Sequence, residues 1–213
     1  RCLAACPYSA IVKSERPCVR ACKPKAISID ENRCAKIDDE KCIACGACVY
    51  QCPFGAISDK SYILDTIEML KNSGNNTKYN VHAVVAPSIS GQFAVPLGKV
   101  VSGLKELGFR SVMEAALGAD MVAFKEASEL VEKGFLTSSC CPAFVKYIET
   151  QFPDMKDKIS HNLSPMAEIA RYMKKHEPNC KIVFIGPCTA KKAECKKETV
   201  SPYIAVSYTH LRA

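Results

Sequence analysis

The sequence predicts an α/β domain with a mostly parallel sheet, preceded by a small α+β module that metal ligation holds together. Three observations lead there. Past residue 60, short apolar runs alternate with helical patterns, the order that builds a parallel sheet covered by helices. Before residue 60, cysteines stand at ligand spacings. Finally, no apolar run reaches the roughly 18 residues of a membrane span.

The first module is organised by Cys42, Cys45, Cys48 and Cys52, with Pro53 directly after them. A C-x2-C-x2-C-x3-C-P run is the bacterial ferredoxin spacing for a 4Fe-4S cubane: three thiolates on one tight loop face three irons, and the fourth points to a second cluster. Pro53 turns the chain away from the ligand loop. A structural zinc site usually shows two separated C-x2-C pairs. A disulfide framework needs an oxidising compartment, and the chain starts with no apolar signal segment.

The same grammar recurs upstream. Cys2 and Cys6-Pro7 match the third and fourth cysteines of another run, whose first two would precede residue 1. Cys18 and Cys22, followed by Lys25-Ala26-Ile27, form a third copy without the leading pair. The fourth cysteine of a two-cluster ferredoxin run ligates the other cluster, so Cys22 is expected to complete the set of Cys42, Cys45 and Cys48. Cys18 and Cys52 then belong together, with only Cys34 nearby, which leaves a second cluster open. Cys6 is expected to reach a cluster whose other ligands lie upstream, and Cys2 one completed by the missing pair. Cys180 and Cys195 read as ordinary small buried or surface residues.

A chain of 213 residues accommodates a sizeable core plus a cluster module. Its 14 cysteines in this spacing point to a reducing, cytoplasmic setting. The formal net charge of +7 comes from scattered lysines and is offset by anionic clusters, so it reads as a solvated surface and calls for no nucleic acid.

Ser61 to Lys71 reads as a linking helix closed by Asn72-Ser73-Gly74-Asn75-Asn76. Strands are expected at Val81–Ala86, Phe109–Met113, Phe135–Ser138 and Lys181–Ile185, and helices at 93–107, 118–133, 142–151 and 164–176. The expected organisation is a 4Fe-4S module, cut at its start, over 1–60, a linking helix and turn over 61–77, the N-terminal part of a larger α/β domain over 78–205 and a non-native tail over 206–213. Ligands gather at the carboxyl ends of parallel strands. Three loops expected there carry unusual residues: Ala86-Pro87-Ser88, Ser139-Cys140-Cys141-Pro142 and Gly186-Pro187-Cys188-Thr189-Ala190-Lys191-Lys192. Neither G-x-G-x-x-G nor G-x4-G-K-[ST] occurs, so nothing suggests nucleotide binding.

Thr137-Ser138-Ser139-Cys140-Cys141-Pro142 resembles the first signature of the iron-only (FeFe) hydrogenases, and Gly186 to Lys192 resembles the second. The resemblance covers about residues 1–204. It implies an anaerobic oxidoreductase that interconverts protons and H2 at an H-cluster, a 4Fe-4S cubane linked to a diiron unit, with electrons relayed by 4Fe-4S clusters. Cys141 and Cys188 would be two of four cubane thiolates. Cys140 would pass protons to the diiron unit, Lys191 would hydrogen-bond a cyanide ligand, and Ala86, Pro87 and Ser88 would line the pocket. The family's proton path would continue through Glu126, Ser160 and Glu129. Glu126 and Glu129 are three apart on one helix and therefore share a face. The implied partners are a redox protein or small electron carrier and the hydrogenase maturation proteins.

Two departures from the family carry expectations. Gly186 stands where the best-known members have Met, which implies a roomier or repositioned pocket. The third signature, an E-x-M-x-C-x3-C-type segment with the other two cubane thiolates, is absent, so the chain is expected to be cut at both ends and inactive by itself. Two other classes share features: hydrogenase-like iron-sulfur assembly and scaffold proteins, which generally lack the cysteine at position 140, and hydrogenase-derived redox sensors, which append a regulatory domain.

Overall fold

The computed structural model describes residues 5–8, 10 and 14–208, with side chains described as far as residue 205. Cys2 lies outside the described residues. The chain divides into two compact units, one of residues 1–42 and 46–59, the other of residues 43–45 and 60–213.

In the first unit, α1 (Pro17–Ala21) starts on a proline, whose missing N–H costs nothing at a helix start, and buries Cys18. Strand β1 (Ile27–Ile29) pairs antiparallel with β2 (Ala35–Ile37), Ile27 opposite Ile37. The short helix α2 (Ala47–Tyr50) carries Cys48 and is entered through Gly46 at φ 78°. The cysteine repeat is visible in the backbone. Three residues after Cys22 and Cys52, Lys25 and Gly55 are left-handed, at φ 53° and 61°. One residue later, Ala26 N–H donates to Cys22 Sγ at 3.2 Å and Ala56 N–H to Cys52 Sγ at 3.3 Å.

The second unit is built on four parallel strands in the order β4-β3-β5-β6: β3 (Val81–Val85), β4 (Ser111–Glu114), β5 (Lys181–Ile185) and β6 (Val206–Tyr208). All of β3 is buried, as a central strand covered on both faces must be. Alternation divides the core. Val84, Ile182 and Phe184 pack with Met166 and Ile169, while Val81, Ala83, Val85, Val183 and Ile185 pack with Ile89 and Phe109.

The helices are α3 (Ile63–Asn72), α4 (Leu97–Glu106), α5 (Ala115–Lys133), α6 (Pro142–Gln151), α7 (Pro165–His176) and α8 (Thr189–Glu194). Ser164 caps α7, its hydroxyl accepting from Ala167 N–H. Helices α5 and α7 approach closely at Gly118, where an added Cβ would fall 2.1 Å from the Pro165 carbonyl oxygen. Within the same unit, Ile43 packs with Ala143 and Ala190, and Thr189 Oγ1 donates to the Ala44 carbonyl at 2.7 Å.

Several expected elements shift. Helix α4 begins at Leu97 rather than residue 93 because Pro96 holds the N-cap with extended backbone. Helix α5 begins at Ala115, directly from β4. Phe135–Ser138 joins no sheet: Thr137 makes only an isolated parallel bridge to Ile159, with Thr137 N–H donating to Lys158 O at 2.7 Å. A short apolar run alone does not distinguish a sheet strand from an extended loop. At the other end, Val206–Tyr208 pairs with Val183–Ile185 as an edge strand.

Candidate functional site

Two loops leave the sheet side by side, because β3 and β5 are neighbours and Ala86 N–H still donates to Ile185 O at 2.8 Å. From β3 the chain enters a 3-10 turn, Pro87–Gly91. From β5 it passes Gly186 and Pro187 to Cys188, the N-cap of α8. The third loop approaches from outside the sheet and places Cys141 as the N-cap of α6, with Pro142 in the first turn. Both motif cysteines thus sit at the N-cap of a helix in extended backbone.

Lys191 ties these loops together. Its Nζ donates to the Cys140 carbonyl oxygen at 2.9 Å and pairs with Glu194 Oε2 at 2.7 Å. Both side chains are largely buried, 12 and 9% exposed, so the pair is shielded from water.

A cavity of about 330 Å³ opens between the loops. Ala86, Pro87, Ser88, Cys140, Cys188 and Lys191 line it, on a floor of Ala115, Ala119, Met166 and Phe184. Six sequence-predicted residues therefore meet in one concave site; Cys141 is not in its lining. The predicted extra room at Gly186 is already taken. A Cβ there would lie 2.9 Å from both the Ala86 Cβ and the Phe184 ring, so Phe184 occupies the space a side chain at 186 would need.

Two hydrogen-bonded networks surround the predicted proton-path residues on α5. Glu126 Oε1 accepts from Ser138 Oγ at 3.0 Å and from Ser139 N–H at 3.3 Å, while Ser138 Oγ accepts from Cys140 N–H at 3.3 Å. One turn on, Glu129 Oε2 accepts from Ser160 Oγ at 3.0 Å and Asn162 Nδ2 at 2.9 Å. Its Oε1 lies 2.8 Å from Lys133 Nζ and from His161 Nδ1. Desolvation raises the pKa of Glu129, but hydrogen bonds from Lys133, His161 and Ser160 outweigh it and hold the carboxyl at about 2. Glu126 and Ser160 share no direct hydrogen bond among the described residues.

Sequence reasoning passed over Ser138, Lys133, His161, Asn162 and Glu194. Lys133 and Glu194 had a signal, four residues after Glu129 and three after Lys191 on one helix face each; the others act through loops that only the fold brings together. In the cysteine module, Cys52 lies below an ordinary thiol because backbone N–H groups, Phe54's first, point at its sulfur. That is the environment of a metal-bound thiolate.

The donors at the cavity suit an iron group. Cys188 in the lining, with Cys141 at a helix start outside it, offers soft sulfur ligands, the wall is largely apolar, and the Lys191 ammonium suits an anionic ligand atom. Cys141 and Cys188 would supply two of the four thiolates that a cubane takes.

Residues 79–209 match the model described as iron only hydrogenase large subunit, C-terminal domain, and residues 35–58 match a 4Fe-4S binding domain. The chain is 31% identical over 188 residues to NADP-reducing hydrogenase subunit HndD of Solidesulfovibrio fructosivorans, with 76% of this chain and 32% of that protein covered. It is 30% identical over 242 residues to iron hydrogenase 1 of Clostridium pasteurianum, covering 82 and 42%. A cytosolic Fe-S cluster assembly factor of Candida dubliniensis is 28% identical over 158 residues, covering 66 and 26%. The chain thus spans a third to two-fifths of the length of the two hydrogenase relatives. With the catalytic-domain model matched over more than half of its residues and a 4Fe-4S motif ahead of it, the chain belongs to the iron-only hydrogenase large-subunit family.

Proposed function

We propose that the protein containing this sequence catalyses reversible H2 oxidation and proton reduction, 2H+ + 2e− ⇌ H2. The supporting observation is the convergence of Ala86–Ser88, Cys140, Cys188 and Lys191 on one cavity, with carboxylates Glu126 and Glu129 in hydrogen-bonded networks beside it. Cys141 and Cys188 would hold the cubane half of an H-cluster as thiolates, and that group would supply the iron chemistry for joining protons and electrons. Lys191, oriented by Glu194 and the Cys140 carbonyl, offers its remaining N–H to a cyanide ligand. Ala86, Pro87 and Ser88 wall the cavity and exclude water.

Protons reach the cavity through Glu129, Ser160, Glu126 and the Cys140 thiol, with water completing the step between Ser160 and Glu126. Electrons enter through a 4Fe-4S cluster on Cys22, Cys42, Cys45 and Cys48. Cys6 and Cys2 would serve further clusters, while Cys18 and Cys52, with only Cys34 nearby, leave a second cluster here open. A redox protein or small carrier delivers the electrons, maturation proteins install the diiron unit, and the protein works in the reducing cytoplasm.

A second reading follows from the assembly-factor relative: an iron-sulfur scaffold that keeps the cubane and performs no hydrogen chemistry. The longest reading frame containing this sequence, matured with a diiron precursor under nitrogen, decides between them. H2 release from reduced viologen together with D2/H+ exchange is the expected result; a matured, cluster-loaded protein with neither activity would establish the scaffold.

A further inference from the structure

The opposite end of the sheet carries a second cluster of ligand-type side chains. His82 on β3, Glu177 just past α7 and Cys180 just before β5 bring an imidazole nitrogen, a carboxylate oxygen and a thiol sulfur within 4.8 Å of one another. Their backbone positions sit at the amino-terminal edge of the sheet, where Val81 pairs with Lys181 and His82 with Ser111. Ala86, just past β3, lies four positions along the chain from His82, roughly 13 Å at strand rise. This cluster is therefore separate from the cavity described above and independent of the function proposed for it.

The surroundings orient the three groups. His82 Nδ1 lies 2.7 Å from Ser111 Oγ, which leaves Nε2 facing Glu177 Oε2 at 2.9 Å. Asn80 Nδ2 donates to the other carboxylate oxygen, Oε1. Cys180 is fully buried, and among the described residues its thiol has no hydrogen-bond partner. Burial pushes that thiol up. Glu177 is 40% exposed at the side chain and leaves an entry path from solvent.

We propose that His82 Nε2, Glu177 Oε2 and Cys180 Sγ bind one divalent cation of the zinc class, with a water molecule at the fourth position. The donor set suits that class, since one soft thiolate, one borderline imidazole and one hard carboxylate match zinc and disfavour calcium or magnesium. Charges balance: a thiolate and a carboxylate neutralise the dication. On binding, the sulfur–metal bond replaces the S–H bond of Cys180, and that proton leaves to solvent with any proton on Nε2. Ser111 fixes the ring by accepting from Nδ1–H, the hydrogen bond that ligating histidines usually make. The ion would clamp β3 to the α7–β5 turn at the exposed edge of the sheet.

The test uses the full chain, reconstituted with iron and sulfide under nitrogen so that the ferredoxin-type thiols are occupied, and titrated with Co2+ as the probe. Thiolate–cobalt bonds give a near-ultraviolet charge-transfer band, and the visible bands report four-coordination. Wild type is expected to take up one more cobalt than Cys180→Ser, which loses a single-thiolate band. Binding is expected to weaken at least tenfold in His82→Gln and Glu177→Gln and about tenfold in Ser111→Ala. Because Cys180 is a core residue, Glu177→Gln at the half-exposed position decides the matter if Cys180→Ser fails to fold. Cobalt uptake and spectra in Glu177→Gln equal to wild type would overturn the site.

Discussion

The Lys191 ammonium lies 2.9 Å from the Cys140 carbonyl oxygen, so the second cysteine motif grips the first through one side chain. The same ammonium neutralises the buried Glu194 carboxylate. Removing it leaves an uncompensated charge in a dry position, which costs about 3 kcal/mol. Lys191→Met is expected to lower the urea midpoint of the second unit accordingly, and Lys191→Met combined with Glu194→Gln to recover most of the loss. A double variant as unstable as the single one would show that the pair is not what holds these loops.

Helix packing gives a sharper steric prediction. Gly118→Ala places a methyl group 2.1 Å from the Pro165 carbonyl oxygen, a backbone atom that cannot rotate aside. Separating α5 from α7 to relieve it is expected to cost about 2 kcal/mol, read as a lower thermal midpoint. Gly98→Ala on α4, where an added Cβ meets nothing within 4 Å, serves as the control and is expected to be neutral or slightly stabilising.

Acid stability reports on Glu129. Its carboxyl is held at about 2 in the fold against an ordinary 4.5, so its contribution is fully present above about pH 4.5 and is lost as pH falls towards about 2. Glu129→Gln is expected to be less stable than wild type at neutral pH, with the gap narrowing through that window. A gap constant from pH 6 to pH 2.5 would contradict the network of Ser160, His161 and Lys133 around it.

The ferredoxin-type set is tested by Cys45→Ser in the reconstituted chain. The variant is expected to lose the reduced-state paramagnetic signal of a 4Fe-4S cluster on Cys22, Cys42, Cys45 and Cys48, while Cys195→Ser keeps it. An unchanged signal in Cys45→Ser would remove that ligand assignment.

What the sequence revealed depended on how local each signal was. The C-x2-C-x2-C-x3-C-P run is contiguous, and its repeat reappears as matching left-handed residues at Lys25 and Gly55. Strand–helix alternation likewise located β3 and β5, and with them the loops of Ala86 and Cys188. Phe135–Ser138 misled because its apolar run has strand length but meets only Ile159. The Phe184 ring filling the space beside Gly186 was invisible, since the sequence does not show how the loop after β5 folds back on a ring at the strand's end. His82, Glu177 and Cys180 stand nearly a hundred residues apart at the extremes, and only the parallel pairing of β3 with β5 joins them.

The adjacent thiols Cys140 and Cys141 offer the most direct measurement. Cys141 is the N-cap of α6 and is assigned to the metal, whereas Cys140 lines the cavity and is assigned to the proton. In the longest reading frame containing this sequence, matured under nitrogen, infrared bands of cyanide and carbonyl ligands and H2 evolution are recorded for Cys140→Ala and Cys141→Ala. The account predicts that Cys141→Ala loses the bands and the activity together, while Cys140→Ala keeps the bands and loses most turnover, about a hundredfold or more for a missing proton-transfer group. Equal loss of bands in both variants, or full turnover in Cys140→Ala, would contradict it.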